Sequence, residues 1–485
     1  MKTNITRRKF LKTSSLVTFG ISIVPRHVLG GNGYIAPSDK LNIASIGAGG
    51  KGFSDIKNTF NKGRENIVAL CDIDAFRCKK ALESWPKAAF YNDFRKMLEN
   101  SKDIDAVIIS SPDHTHAVAA MAAMQLGKHV YVQKPLTHNI KEARLLTESA
   151  EKYKIVSQMG NQGASNPNQL QMQEWFQNGI IGKVSEVYVW TDRPVWPQGI
   201  PVPTEKMVLP KQISKKNWNL FIGPANYVEY HPLYHPFKWR GWWNFGTGAL
   251  GDMGCHLIDP AFKTLGLGYP TKVECSVGQV FTKDWIPEYI PEGCPPSSKI
   301  KFTFPPTKNN PTEVNLYWND GGIRPFIPDT IPDNHGLFGD GRNGVMMVGE
   351  KGIITCDTYG RNPKAFLKNG DIRTVANKYG KNSPLKNIPE WGHQTSWVKA
   401  VKSGYNSKEH KALTSSFDYA GPLTETVLMG NLAIRSYQYG VLGINNRRNY
   451  SGRKKLYWDG KNMQITNYDV ANQFVGRKYR EGWSL

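Results

Sequence analysis

Lys40-Leu41-Asn42-Ile43-Ala44-Ser45-Ile46-Gly47-Ala48-Gly49-Gly50-Lys51-Gly52 decides the fold, because a short apolar run passes directly into G-x-G-x-x-G and a helical pattern follows. Gly47 permits a tight turn, Gly49 lets a pyrophosphate approach the backbone, and Gly52 lets the helix pack closely on the strand. Gly50 and Lys51 open the helix, whose N-terminus favours phosphate charge. A second strand, 66–71, ends at Asp72, about 20 residues past the last glycine, where a carboxylate accepts from the adenosine ribose hydroxyls. That acid repels a 2′-phosphate and selects NAD over NADP, a preference tempered by Arg77 and Lys79.

Working outward, 94–99 reads as a helix and 105–110 as a strand whose exit loop is Ser111-Pro112-Asp113-His114-Thr115-His116. A helix over 117–126 leads to strand 129–133, which ends in Gln133-Lys134-Pro135. The ends of these strands converge on one crevice, where ligands of doubly wound sheets bind. Ser111, Pro112 and Gln133 are therefore expected beside the dinucleotide. His114 and His116 either hold nicotinamide or substrate or cap the loop. Strand 155–158 runs into Met159-Gly160-Asn161-Gln162, where Asn161 and Gln162 are placed to meet the nicotinamide amide or substrate, and the dinucleotide domain spans 40–162.

The chain has 485 residues, 40% apolar and 21% charged, enough for two domains with a sizeable core. Residues 1–33 differ from the rest: Arg7-Arg8-Lys9-Phe10-Leu11-Lys12 precedes a mildly apolar stretch from Leu16 to Val24, and no acid occurs before Asp39. This resembles a twin-arginine signal, which exports proteins already folded around a cofactor, and predicts the periplasm or cell envelope. No later stretch is long and apolar enough for an integral membrane segment. The net charge of +22 is dispersed along the chain, which argues against a nucleic-acid partner. The six cysteines lack Cys-x-x-Cys spacing, so they are read as mostly free and buried, and no metal is expected.

From Gly163 the pattern changes. Residues 167–179 are predicted helical and 184–191 a strand, followed by a long aromatic region containing Lys238-Trp239-Arg240-Gly241-Trp242-Trp243. Flat rings beside an arginine suit stacking on a sugar, with Arg240, Trp242 and Trp243 as substrate contacts; the competing reading is that the tryptophans pack the loop core. Strands at 272–279, 299–304, 313–318, 344–348 and 352–356 predict an antiparallel sheet, closed by helices 391–403 and 423–439. The second domain is assigned to 163–445, and 446–485 to an extension wrapping over the body.

Ser-Pro-Asp-His-Thr-His, then Gly-Lys-His-Val-Tyr-Val-Gln-Lys-Pro-Leu, then Gly246-Thr247-Gly248-Ala249-Leu250-Gly251-Asp252-Met253-Gly254-Cys255-His256-Leu257-Ile258-Asp259 resemble the glucose-fructose oxidoreductase, inositol dehydrogenase and MocA (Gfo/Idh/MocA) family, over 40 to about 440. The resemblance implies an α/β chain: a Rossmann domain with a doubly wound parallel sheet, then an α/β domain whose large, open, mostly antiparallel sheet forms oligomer contacts in a dimer or tetramer. It also implies hydride transfer between NAD and a sugar or polyol carbon. The family's Glu-Lys-Pro lysine falls on Lys134, with Gln133 where the acid should stand. Asp252 and His256 lie four residues apart, on one face of a helix.

Oxidising a secondary alcohol needs a base for the hydroxyl proton, which assigns His256 as general base, Asp252 as substrate ligand or polariser, and Lys134 as the cation facing the developing alkoxide. Three functions follow. The first is an exported NAD-linked dehydrogenase acting on a sugar or glycoside at ring C3, with its NAD tightly bound. The second is an NAD-dependent glycosidase working by transient oxidation, elimination and hydration. The third is a non-catalytic sugar-binding or assembly protein.

Overall fold

The computed structural model describes residues 35–335, 339–375, 389–444 and 447–485. The expected export segment 1–33 lies outside the described residues, as do Asn445 and Asn446, on which the boundary between second domain and extension was expected.

The dinucleotide domain alternates strands and helices in chain order: β1 (Asn42–Ile46), α1 (Lys51–Phe60), β2 (Asn66–Cys71), α2 (Lys79–Ser84), β3 (Ala89–Tyr91), α3 (Phe94–Asn100), β4 (Ala106–Ile109), α4 (Asp113–Gln125), β5 (His129–Val132), α5 (Ile140–Lys152) and β6 (Ser157–Met159). The six strands are all parallel in the order β3-β2-β1-β4-β5-β6, the doubly wound order of two mononucleotide-binding halves. Every residue of β4 is buried, so its Ala-Val-Ile-Ile run is apolar without alternation, as a strand covered on both faces requires. Asp93 and Asn139 cap α3 and α5, accepting from the N–H groups of Arg95 and Glu142.

Beyond it come α6 (Asn168–Gln177), β7 (Val184–Trp190), α7 (Lys215–Ile222), α8 (Gly248–Leu257), α9 (Asp259–Leu265), β8 (Lys272–Val277), β9 (Phe281–Lys283), β10 (Ile286–Pro287), β11 (Ser298–Phe304), β12 (Val314–Asn319), β13 (Gly344–Gly349), β14 (Gly352–Cys356), β15 (Lys364–Leu367), β16 (Ile372–Thr374), α10 (His393–Ser403), α11 (Lys408–Lys411), α12 (Phe417–Gln438), β17 (Val441–Leu442), β18 (Arg448–Asn449), β19 (Leu456–Asp459) and β20 (Gln464–Ile465). Ten of these strands make one sheet, β16-β15-β14-β13-β7-β12-β11-β8-β19-β20. Within it only β7 and β12 run parallel. Helices α8 and α12 pack together, and α12 contacts both β8 and α5, which joins the two sheets through one apolar core.

Two expectations about the second half change. Helix α10 was expected to close the second domain, but it packs on α1: Trp397 is fully buried, its ring against Tyr131 of β5 and its Nε1–H donating to the Val156 carbonyl at 3.2 Å. The last forty residues also do more than lie over the body, because Leu456 and Trp458 alternate inward and make β19 a strand paired with β8. Among the described residues no disulfide forms; five cysteines are buried and Cys275 is half-buried.

Candidate active site

The Gly47–Gly52 loop joins β1 to α1 at the carboxyl edge of the six-stranded sheet. Gly47 takes φ +83°, and a Cβ there would come within 2.5 Å of the Ser111 backbone nitrogen; a Cβ on Gly52 would meet the Gly47 carbonyl at 1.9 Å. Bare backbone lets turn, strand and helix close on one another and leaves the loop surface open to a pyrophosphate. Gly47, Gly49, Gly50, Lys51 and Asp72 line one cleft of about 560 Å3. Asp72 Oδ2 accepts from the Ala48 and Gly49 N–H groups at 3.0 and 3.3 Å, and Oδ1 from Asp74 N–H at 3.0 Å. It thus braces the glycine loop from the position where a ribose would lie. Burial pushes this carboxyl above its ordinary value, against the pull of those N–H groups. A carboxylate acceptor at this position suits a dinucleotide carrying a free 2′-hydroxyl.

The same cleft reaches the opposite end of the site, where Lys134, Asp252 and His256 meet. Lys134, joined to Pro135 by a cis bond just past β5, reaches α8, where its ammonium donates to Asp252 Oδ1 at 3.0 Å and to the Asp252 carbonyl. Arg193 and Arg240 approach the same carboxylate, each at 3.6 Å. Burial alone would raise the Asp252 carboxyl; Lys134, Arg240 and Arg193 overcome it and hold the group at about 2. One turn on, His256 is buried against the edge of Tyr359, ring centroids 4.7 Å apart, and its Nδ1 has no hydrogen-bond partner among the described residues. Burial, with the Lys134 ammonium adding to it, drives His256 well below the ordinary imidazole range. The ring is therefore a neutral base, beside an ammonium that keeps a third N–H for an incoming oxygen.

Ser111, Pro112, His116, Gln133 and Gln162 also lie along the cleft. His116 places both ring nitrogens on backbone carbonyls, those of Pro135 and Ser111 at 2.9 and 2.7 Å, so it fixes the segments carrying the site. His114 and Asn161 do not reach it. His114 is fully buried between Phe221 and Phe245, with Nε2 on the Phe221 carbonyl at 2.7 Å. Asn161 donates to Asp259 at 3.3 Å and accepts from Ser415. The stacking expected of Trp242 and Trp243 also moves. Trp242 donates to the Leu233 carbonyl at 2.8 Å inside a cluster with Tyr234 and Phe245, and Trp243 is buried beside Arg435. Of the tryptophans in this run, Trp239 is the one that lines the cleft, with the Arg240 guanidinium 4.3 Å above it.

Sequence reasoning missed Arg193 and Tyr359, as well as Asp113, which accepts from the Thr247 hydroxyl at 2.6 Å at the cleft wall. It also missed Asp55. This fully buried carboxylate accepts from Gln133 at 2.8 Å, Ser110 at 3.0 Å and Gln394 at 3.0 Å, and it pairs with Lys51 at 3.0 Å. Lys51 pairs in turn with Glu390. Lys51 and Asp55 stand four residues apart on α1, but no local spacing links them to Ser110, Gln133, Glu390 or Gln394. Among the described residues, no group of three or more His, Cys, Asp or Glu is placed to hold a metal ion, and no helix is long and apolar enough to cross a membrane.

Residues 41–161 match the family model described as "Oxidoreductase family, NAD-binding Rossmann fold", and residues 179–284 that described as "Oxidoreductase family, C-terminal alpha/beta domain". Among curated proteins, "Glycosyl hydrolase family 109 protein 1" of Shewanella sp. (strain ANA-3) is 31% identical over 205 residues, and the "Alpha-N-acetylgalactosaminidase" of Shewanella oneidensis is 30% identical over 205. Each match covers 37% of this chain and 44% of the relative, so the chain spans less than half the length of the curated relatives it matches. Among solved structures, an inositol dehydrogenase homolog from Azotobacter vinelandii complexed with NADH and myo-inositol superposes with a TM-score of 0.54 at 16% identity, covering 80% of this chain and 93% of that one. A levoglucosan dehydrogenase in complex with NADH gives 0.54 at 17% identity, covering 81% and 98%. These structures share the fold. Residues 41–161 and 179–284 thus match the Rossmann and C-terminal α/β domain models of the Gfo/Idh/MocA oxidoreductase family, and the first of these describes an NAD-binding domain, which makes NAD the cofactor of this site.

Proposed function

We propose that this protein is an NAD(H)-dependent oxidoreductase that oxidises a hydroxyl, or reduces the matching keto group, of a sugar or glycoside at ring C3. It works as a homo-oligomer in the periplasm or cell envelope, exported in folded form by its twin-arginine segment. The carrying observation is that Lys134, Asp252 and His256 converge at one end of a cleft whose other end is the glycine loop and Asp72. Bound NAD+ supplies the hydride acceptor. His256, held neutral, takes the proton of the hydroxyl being oxidised. Lys134 turns its remaining N–H to that oxygen and stabilises the charge it develops. Asp252 stays ionised and fixes Lys134. Trp239 and Arg240 give the sugar a flat face and a cationic donor. Purified protein incubated with NAD+ and a panel of glycosides should form NADH and a keto sugar with at least one of them. Absence of both bound NAD and NADH formation across the panel would sink this reading.

A second reading is favoured by the names of the curated relatives, which are glycoside hydrolases. In an NAD-dependent glycosidase the C3 hydride would pass transiently to bound NAD+, with the same three residues handling the hydroxyl proton and the charge on its oxygen. The acidified C2 proton then leaves with the aglycone, water adds, and the ketone is reduced again, so no net redox change occurs. Release of aglycone without accumulation of NADH favours this reading; accumulation of NADH with an intact glycosidic bond favours the first.

A further inference from the structure

The carboxylate at the end of β2 fixes which part of the cleft takes which half of the dinucleotide. Asp72 ends β2, where the adenosine ribose of a dinucleotide belongs, so adenine would lie towards β3, on the other side of the sheet's centre from Lys134 at the end of β5. The cleft wall there is formed by Ile73, Arg77, Asn92 and Phe94, and also by Trp483, two residues from the last of the chain.

Trp483 is held there by the path of the tail. Arg477 and Tyr479 both bond the buried carboxylate Glu142 of α5, at 3.0 and 2.8 Å. Arg480 then caps the end of α7, donating to the Gly223 carbonyl at 3.1 Å and the Asn219 carbonyl at 3.0 Å, while its own N–H reaches the Pro224 carbonyl at 3.1 Å. Helix α7 is tied to the adenosine end as well, through Asn217, which donates to the Ile73 carbonyl at 2.9 Å. Trp483 lands against Phe94, ring centroids 6.0 Å apart, with the Arg95 guanidinium 4.4 Å from its centroid. Arg95 is itself gripped by both oxygens of Asp93. The guanidinium lies over the indole, and the half-buried ring lines the cleft.

We infer that the C-terminal tail is a latch over the adenine end of the dinucleotide site, in which Trp483 stacks on the adenine ring and Arg480 locks the tail to α7. The inference rests on the NAD assignment and adds to it an unassigned binding residue, one that governs how fast the cofactor leaves. Retention matters most to a protein working where free NAD is scarce.

The test is dissociation of NADH from the full-length holoprotein, chased with excess NAD+ and followed by NADH fluorescence, for wild type, Trp483→Ala, Trp483→Phe and Arg480→Ala. Stacking of one base on an aromatic ring, at its usual strength, predicts about ten-fold faster release for Trp483→Ala. Phenylalanine should restore most of the wild-type rate, and Arg480→Ala should give an intermediate one. Trp285→Ala, on the exposed β9–β10 hairpin, should leave the rate unchanged. Reduced nicotinamide mononucleotide, which lacks adenosine, separates stacking from a general loosening of the fold: its affinity should be the same in wild type and Trp483→Ala. A Trp483→Ala release rate within about two-fold of wild type overturns the latch, as does an equal loss of affinity for the mononucleotide. Failure of the wild type to bind NADH at all would instead overturn the cofactor assignment beneath it.

Discussion

Gln133 donates its side-chain amide to the buried carboxylate of Asp55, 2.8 Å away, at the position where the Glu-Lys-Pro motif of the family carries an acid. The buried negative charge beneath the glycine-loop helix is thus carried on α1, by Asp55, while position 133 supplies an N–H donor. Burial keeps the Asp55 carboxyl above its ordinary range despite the pull of Lys51, and a second carboxylate at 133 would repel it and offer no donor. Gln133→Glu is therefore expected to destabilise the fold by about 1–3 kcal/mol, although it restores the motif. Asp55→Asn added to it should recover part of the loss, as the new amide donates back. Urea unfolding of the two single variants and the double variant reads the coupling, and strict additivity would contradict it.

Gly52 makes the second case. A methyl at this position would lie 1.9 Å from the Gly47 carbonyl, too close for a rotamer change to relieve. Gly52→Ala must push α1 away from β1 and spoil the loop that Asp72 braces. NAD+ affinity by calorimetry should fall at least about ten-fold, a change of roughly 1.4 kcal/mol. Gly50→Ala is the control for space, because nothing lies within 4 Å of its added Cβ, and φ +52° is the only strain it carries.

The parts of the site legible in the sequence were those set by local spacing. Gly47, Gly49 and Gly52 act within one turn, and Asp252 and His256 share a helix face because they are four residues apart. Residues delivered by long-range packing gave no such signal: Arg193 follows β7, Tyr359 follows β14, and Trp483 arrives on the tail. His114 and His116 show why proximity in sequence misleads. Two positions apart on α4 they face different sides, so His116 meets the cleft while His114 enters the Phe221–Phe245 cluster. In the tryptophan run the helical turn 238–241 presents Trp239 to the cleft, and the extended backbone after it carries Trp242 inward. The fold was more legible than the site because the βα alternation repeats over the first domain, whereas placing β19 and α10 required knowing what they pack on.

Asp252 stands among Lys134, Arg193 and Arg240, so removing its charge leaves three cations facing one another with their shared anion gone. Asp252→Asn should cost about 3 kcal/mol in stability as well as turnover, since breaking a buried pair strands its partners. Asp252→Glu keeps the charge and should retain most of the stability. Thermal unfolding of both variants separates the loss of charge from the loss of shape.

His256 sets the pH dependence of turnover. Because its folded-state pKa is driven well below 6.5, the base form persists as pH falls through the range in which a free histidine would protonate. The kcat/KM profile for alcohol oxidation is therefore expected to lack an acid limb centred near 6.5 and to decline only further down. His256→Ala should lower kcat by about 10²- to 10⁴-fold and remove that limb. An inflection near 6.5 that disappears with His256→Ala would show the ring to be hydrated and ordinary.

The buried histidines outside chemistry set the acid stability of the fold. Burial depresses His114 to about 3 and His393 to about 4, so each stays neutral in the folded chain while the unfolded chain binds its proton near 6.5. The sign follows: above 6.5 neither group contributes to the pH dependence, and below it the unfolded state holds one more proton per histidine, so stability falls as pH falls. Each should contribute a slope of about 1.4 kcal/mol per pH unit between 6 and 5, before most carboxylates titrate. His114→Phe keeps the ring contacts with Phe221 and Phe245 but loses the bond to the Phe221 carbonyl. It should be less stable than wild type at pH 7 by about 1 kcal/mol, and its stability should fall less steeply below 6.5. The two urea-unfolding curves therefore converge as the solution is acidified, and parallel curves would mean that His114 is already protonated in the fold.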